Sequence, residues 1–254
     1  MSYNRPIVLS IAGFDPCGGA GVLADIKTFE QHQCLGMAVN TSITNQVEDN
    51  FISVNWYSAD EIIEHIKTLT NKYKIDFVKI GIIENLTTLH KIVGFLKEQN
   101  NNVTIVWDTV LSASSGFQLI EAIDKTKLEE VLKNIFLITP NTIEVKKLSG
   151  IDNEMEAAQC LSSYCNVLLK GGHSELNKGT DFLFSKHETS TPLSFQKQTT
   201  NIIYPKHGSG CILSSSITAN LALGNDLELA CRKSKQYIET ILNSNTNLLA
   251  YHVA

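Results

Sequence analysis

The sequence predicts a three-layer α/β/α domain on a doubly wound, mostly parallel sheet. Short apolar runs alternate with apolar-periodic stretches along most of the chain, the pattern of parallel strands joined by right-handed helical crossovers. The connections are short and rich in Gly, Asn, Ser and Pro, residues that turn a chain between elements. The 254 residues, 43% hydrophobic and 19% charged, suit a soluble globular chain with a sizeable core. They read as a single domain over 1–254.

Ile7–Ala12 is an apolar run bounded by Pro6 and Gly13, the signature of a buried strand. A glycine-rich loop, Gly13 to Gly21, leads into a helix with Val22, Leu23, Ile26 and Phe29 on one face. Met37–Thr44 reads as the second strand, ending near Asn45 and Gln46, and Ile52–Tyr57 alternates less cleanly. Ser58 and Glu61 have the spacing of a capping box and open a helix through Tyr73. Strands follow at Phe77–Ile82, Val103–Trp107, Phe136–Thr139 and Val167–Lys170. Between them lie helices at Thr87–Glu98, Lys125–Asn134, Pro140 to Gly150, and Met155–Tyr164. After Gly179 the rhythm changes, and Asp181–Ser185 and Ser194–Thr199 read as a small antiparallel addition around a polar turn at Pro192. An extended apolar run at Ile202-Ile203-Tyr204 then leads to Gly208-Ser209-Gly210, and helices Cys211–Leu223 and Asp226–Leu242 close the chain.

The net charge of −5, with Lys and Arg scattered, predicts no nucleic-acid and no membrane-surface partner. The N-terminus runs straight into a strand with no signal-like segment, and no apolar run is long enough to span a bilayer, so a cytoplasmic location is expected. The six cysteines form no C-x-x-C pair and no Cys/His set with zinc spacing, so they are expected to be free thiols.

Ligands of such sheets bind at the carboxyl ends of the strands. The residues there are Gly13 and Asp15, Asn45 and Gln46, Gly81 and Ile82, Asp108, Asn141 and Glu144, and Lys170 to His173. Asp108 and Glu144 are hard oxygen donors of the kind a water-rich Mg²⁺ prefers. Lys170 is a point charge for phosphate oxygens, and Gln46 offers a donor and an acceptor to a heteroaromatic ring edge. Taken singly, Asp108 and Asn141 also fit turn chemistry, and Lys170 a solvated strand end. Gly208, Ser209 and Gly210 before a helix form an anion hole suited to a moving phosphoryl group. Cys211 sits where a thiol's pKa tends to fall; its alternative is a small buried residue in a tight turn. His207 is either a phosphate contact or a tolerated loop residue. Neither G-x-G-x-x-G nor a P-loop occurs.

Nearly end to end, the chain resembles the hydroxymethylpyrimidine/phosphomethylpyrimidine kinases of thiamine biosynthesis, within the ribokinase-like superfamily. The resemblance lies in Ala12-Gly13-x-Asp15-Pro16-x-Gly18-Gly19-Ala20-Gly21-x-x-Ala24-Asp25-x-Lys27-Thr28-Phe29, Lys79-Ile80-Gly81, Asp108-Thr109-Val110, Ile138-Thr139-Pro140-Asn141-x-x-Glu144, Lys170-Gly171-Gly172-His173 and His207-Gly208-Ser209-Gly210-Cys211. It implies ATP-dependent phosphorylation of the pyrimidine's hydroxymethyl group and then of the monophosphate. It also implies a substrate pocket at Gly13, Asp15, Gln46, Ile82 and Val110, with Asn141 and Lys170 on ATP phosphates. Asp108 and Glu144 would organise Mg²⁺, Gly208, Ser209 and Gly210 the anion hole, and Cys211 the base. Related kinases are often homodimers, and Asn45–Tyr57 and the late β addition are candidate contacts or lids. Phe14 stands where Ser or Thr is usual, Ile82 replaces a frequent Met, and Leu111 to Gly116 lacks a lysine common before Ser-Gly. Pyridoxal or pyridoxine phosphorylation and a non-catalytic pyrimidine sensor are the alternatives.

Overall fold

A computed structural model describes residues 5–112, 123–173, 179–188, 191–197 and 203–252. Its strands are β1 (Ile7–Phe14), β2 (Leu35–Val47), β3 (Asn50–Trp56), β4 (Phe77–Ile80), β5 (Thr104–Trp107), β6 (Leu137–Ile138), β7 (Asn166–Leu169), β8 (Asp181–Phe184) and β9 (Leu193–Phe195). The helices are α1 (Gly21–Gln31), α2 (Ala59–Thr70), α3 (Leu86–Gln99), α4 (Lys125–Leu132), α5 (Thr142–Ser149), α6 (Glu154–Leu161), α7 (Ser209–Ala222) and α8 (Leu227–Leu242).

The strands form one sheet in the order β3-β2-β1-β4-β5-β6-β7-β8-β9. Strands β2, β1, β4, β5, β6 and β7 run parallel, while β3, β8 and β9 join antiparallel at the two edges. This is the expected doubly wound sheet with its late antiparallel addition. Residue alternation along the central strands feeds two cores. Ile105 and Trp107 pack with α2 to α6 on one face, and Val106 packs with α7 and α8 on the other.

Helix α7 is buried at every residue from Ile212 to Leu221, so its hydroxyls need internal partners. Ser214 donates to Gly210 O at 3.0 Å, Thr218 to Ser214 O at 2.8 Å, and Ser215 to Asp25 at 2.7 Å. The Ser58 and Glu61 box caps α2 as its spacing predicts. All six cysteines are free. No helix among the described residues is long and apolar enough to cross a membrane.

Several boundaries differ from the sequence expectation. Strand β2 continues to Val47 because, beyond its pairing with β1, it gains an antiparallel partner in β3 from Ser42 to Val47, with a bulge at Asn45/Gln46. Gln46 therefore stands within a hairpin arm, not after a strand. Strand β4 stops at Ile80, leaving Gly81 and Ile82 as a loop, and β6 is only two residues. Ile203 to Lys206 is coil, and α7 begins at Ser209, two residues earlier than expected. Of the expected strand Ser194–Thr199, Ser194 and Phe195 are strand and Gln196 and Lys197 are not; the rest of that stretch and Ile202 lie outside the described residues.

Burial holds two histidines neutral. His32, which is bonded to Ser216 at 2.8 Å and packed on Tyr237, falls from 6.5 to about 4, with the Lys233 charge adding to burial. His252 falls likewise to about 4, with Lys27 adding. Between pH 6.5 and 4 the unfolded chain binds protons here that the folded chain refuses, so stability falls as pH drops through that window. His32→Gln should flatten this part of a plot of urea midpoint against pH; an unchanged slope would mean that the folded ring protonates freely.

Candidate active site

The winding of the sheet reverses at β1, which connects through α1 to β2 on one side while the chain returns to β4 on the other. The crevice at such a reversal is where ligands enter. Gly13 and Ile82 meet there: a Cβ on Gly13 would overlap the Ile82 side chain and come within 2.7 Å of Ser42 Oγ. Thr41 Oγ1 donates to Ile82 O at 2.8 Å and holds this loop to β2. Ser42 Oγ is buried without a partner among the described residues, so it is a polar atom of this wall that sequence reasoning missed. Val110 follows β5, its N–H donating to Asp108 O at 2.8 Å. Gln46 lies on the hairpin arm opposite Phe51, and no hydrogen bond joins it to the other candidate residues among those described.

Two glycine motifs far apart in sequence pack backbone against backbone. Gly208 has φ 73° and caps α7, and a Cβ there would overlap Gly19 O. Gly21 has φ 58°, and its Cβ would overlap Gly13 O. Only glycine satisfies both the left-handed backbone and the closeness. Asp15 ties the two loops. It accepts from Cys17 N at 3.1 Å, Cys17 Sγ at 3.1 and 3.3 Å, Ala20 N at 2.8 Å and His207 Nε2 at 3.0 Å. Burial would raise the Asp15 carboxyl, but the His207, Cys17 and Ala20 bonds bring it to about 2. Both Asp15 oxygens are thus engaged inside the loop, and His207 is its strap. No side chain among the described residues caps α7, which leaves the first amides of the helix, from Ser209 through Cys211, open toward a ligand.

Facing that corner is a charged cluster. Lys170 Nζ lies 3.0 Å from Asp108 Oδ1 and 3.8 Å from Glu144 Oε2. Thr139 Oγ1 also donates to Asp108 Oδ1 at 3.1 Å, whereas Asp108 Oδ2 is buried with no partner among the described residues. A Cβ on Gly210 would stand 3.4 Å from Lys170 Nζ and 3.6 Å from Asp108 Oδ2, so the start of α7 abuts the cluster. Asn141 and Glu144 form a capping box on α5, so each has a structural duty at its position. Burial would raise Asp108, but Lys170 and Lys79 hold it below the usual carboxylate range. Glu144 moves up, through burial and then Asp108, against Lys170. Burial opposes the Lys170 charge, yet Asp108 and Glu144 keep it raised and ammonium.

The thiol departs from expectation. Cys211 is the third residue of α7, and burial pushes it up to about 11, with Asp108 and Asp25 adding against Lys79 and the Gly21 amide. Enclosure and two carboxylates outweigh the helix start, so the free protein carries a thiol at neutral pH.

Two buried ion pairs were not legible as site features. Lys79 donates to both Asp25 oxygens at 2.9 and 2.8 Å, and Asp25 also accepts from Ser10 at 2.6 Å. Asp25 and Lys79 appeared within motifs, but neither stood out as buried. Asp181 accepts from Gly171 N at 2.8 Å and from Lys235 Nζ at 2.9 Å, and Lys235 also holds Gly179 O at 2.8 Å. This pair braces the backbone just after Lys170, and nothing in the sequence links residues 181 and 235. Ser114, Ser115 and Gly116, where the missing lysine falls, lie outside the described residues.

Gly208→Ala should displace the start of α7 from Gly19, lowering both melting temperature and turnover. Wild-type values for both would show that the contact yields without cost.

Solved structures share this architecture. A phosphomethylpyrimidine kinase from Clostridium difficile 630 superposes with a TM-score of 0.77 at 30% identity, over 92% of this chain and 98% of that one. A Bacillus subtilis pyridoxal kinase, solved as an ADP complex, gives 0.77 at 27% identity, over 94% and 92%. The fold is that of the ribokinase-like small-molecule kinases. The hydroxymethylpyrimidine/phosphomethylpyrimidine kinase of Aquifex aeolicus is 35% identical over 251 residues, covering 94% of this chain and 95% of its own. The Staphylococcus aureus MRSA252 enzyme of that name is 33% identical over 242 residues, covering 91% and 86%. The phosphomethylpyrimidine kinase profile matches residues 15–254, and the chain belongs to that family.

Proposed function

We propose that this chain transfers the terminal phosphoryl group of ATP to hydroxymethylpyrimidine, and a second one to the resulting monophosphate, in thiamine diphosphate biosynthesis. The observation that carries this reading is Asp108 Oδ2, without a partner among the described residues, buried beside Lys170 and facing the uncapped start of α7 at Gly210. A buried anionic oxygen with no partner is costly unless a ligand completes it. Family membership and the names of the relatives point to the same chemistry.

Mg²⁺ fits this donor set, since it takes hard oxygens and keeps several waters. Asp108 and Glu144 would hold the ion and its waters, and the ion supplies charge neutralisation on the nucleotide phosphates. Lys170 and Asn141 hold phosphate oxygens. Gly13, Ile82 and Val110 wall the pyrimidine, with Asp15 fixing the loop beneath and Gln46 reaching from the hairpin arm. The substrate hydroxyl lies at Cys211, and the transferred group is received over the amides of Gly208, Ser209, Gly210 and Cys211. Such transfer needs mainly positioning and electrostatic stabilisation. The proton of the hydroxyl passes to Cys211 in its thiolate form, which Lys79 and the Gly21 amide favour.

Hydroxymethylpyrimidine, its phosphate and pyridoxal, assayed side by side with ATP, test the reading. Turnover of the first two is expected; turnover of pyridoxal alone would make the chain a pyridoxal kinase, and no ATP consumption with any of them would make it a sensor. Cys211→Ala should lower kcat by ~10²–10⁴, the range for a lost proton acceptor, with little change in KM for ATP. Because the free thiol titrates at about 11, kcat/KM should still be climbing above pH 8. A plateau from pH 7 would remove the thiolate from the mechanism.

A further inference from the structure

We propose that Asp15, Cys17 and His207 form a binding site for a soft divalent cation of the zinc class, separate from the carboxylates at Asp108 and Glu144. Their donor atoms all lie within 4.8 Å of one another. Asp15 to Cys17 Sγ is 3.1 and 3.3 Å, and Asp15 Oδ2 to His207 Nε2 is 3.0 Å. Zinc bonds of ~2.0 Å to oxygen and nitrogen and ~2.3 Å to sulfur, set tetrahedrally, need donors roughly 3.2–3.5 Å apart. Two of the three donor pairs therefore stand close to the required separation before any ion arrives.

The carboxylate is already prepared as a ligand. Cys17 N and Ala20 N fix its orientation, the outer-sphere support that a metal ligand needs. Asp15 is 1% exposed. The His207 side chain is 9% exposed, while Cys17 is half-buried and leaves an open side for water as a fourth ligand. A divalent ion would displace the thiol proton of Cys17 to solvent and bond His207 at Nε2, the ring proton that Nε2 gives to Asp15 in the strap moving to Nδ1 as the other neutral tautomer. The carboxylate and thiolate charges then cancel those of the ion, which suits a site this enclosed. Thiolate and imidazole select zinc-class ions over Mg²⁺. The ion would join the glycine-rich loop to the residue before Gly208, replacing a hydrogen-bonded strap by three coordinate bonds.

Cobalt(II) titration of the chelator-stripped full chain, without nucleotide or substrate, tests this independently of the kinase reading. One equivalent should bind with a near-ultraviolet thiolate charge-transfer band and tetrahedral visible bands, and stoichiometric zinc should erase both. Cys17→Ser and Cys17→Ala should each abolish the band. They should weaken binding beyond the ~10–100-fold that loss of an outer-sphere partner costs, with circular dichroism reporting the fold. Cys160→Ser, at the exposed thiol, should leave the titration unchanged. No band at stoichiometric cobalt, or a band that survives both Cys17 variants, would overturn the site and leave Asp15 and His207 as a strap alone.

Discussion

The buried pairing of Lys79 with Asp25 is the constraint on which the rest of the site depends. Both side chains are wholly excluded from water. Around Asp25 converge Ser10 of β1, Lys79 of β4, Ser215 of α7 and its own helix α1. Removing one partner of such a pair leaves an uncompensated charge, typically a loss of about 3–5 kcal/mol. The pair need not add net stability to matter, because it sets the position of α7 over the sheet. Lys79 also contributes positive potential at both Cys211 and Asp108.

On that frame the two glycine motifs can approach. Gly208 on Gly19 and Gly21 on Gly13 are contacts that any side chain would block. They bring the uncapped start of α7 next to the crevice at which the winding of the sheet reverses. Lys170, Asp108 and Glu144 then hold one another's charges in place. The Asp181–Lys235 pair braces the backbone behind Lys170 from the far edge. The charged cluster therefore draws its geometry from both ends of the sheet. Catalytic arrangements dominated by electrostatics depend on such fixed placement.

Much of this was legible in the chain. The capping box at Ser58 follows from spacing alone, as did the apolar strands and the late change of rhythm. The gathering of Asp108, Asn141, Glu144 and Lys170 at one edge followed from the rule for parallel sheets. Gln46 was misplaced because strand length is decided by the partner: β2 runs on where β3 pairs with it. The thiol of Cys211 was misjudged because the local signal, a helix start, was outweighed by burial and by carboxylates brought in from residues 25 and 108. Ser42, Asp181 and Lys235 carried no local signal.

Periodicity, turn residues and capping signals are local, and from them the sequence by itself determined the α/β architecture, most of the elements and the edge at which the polar groups collect. Tertiary structure decided which charges face each other, which oxygen is left without a partner, how far β2 extends, and in which protonation state the thiol rests. Those properties depend on dielectric and on contacts between residues tens to hundreds of positions apart, as with Asp15 and His207. Such distances in sequence leave no periodic trace, so only the folded chain reveals them.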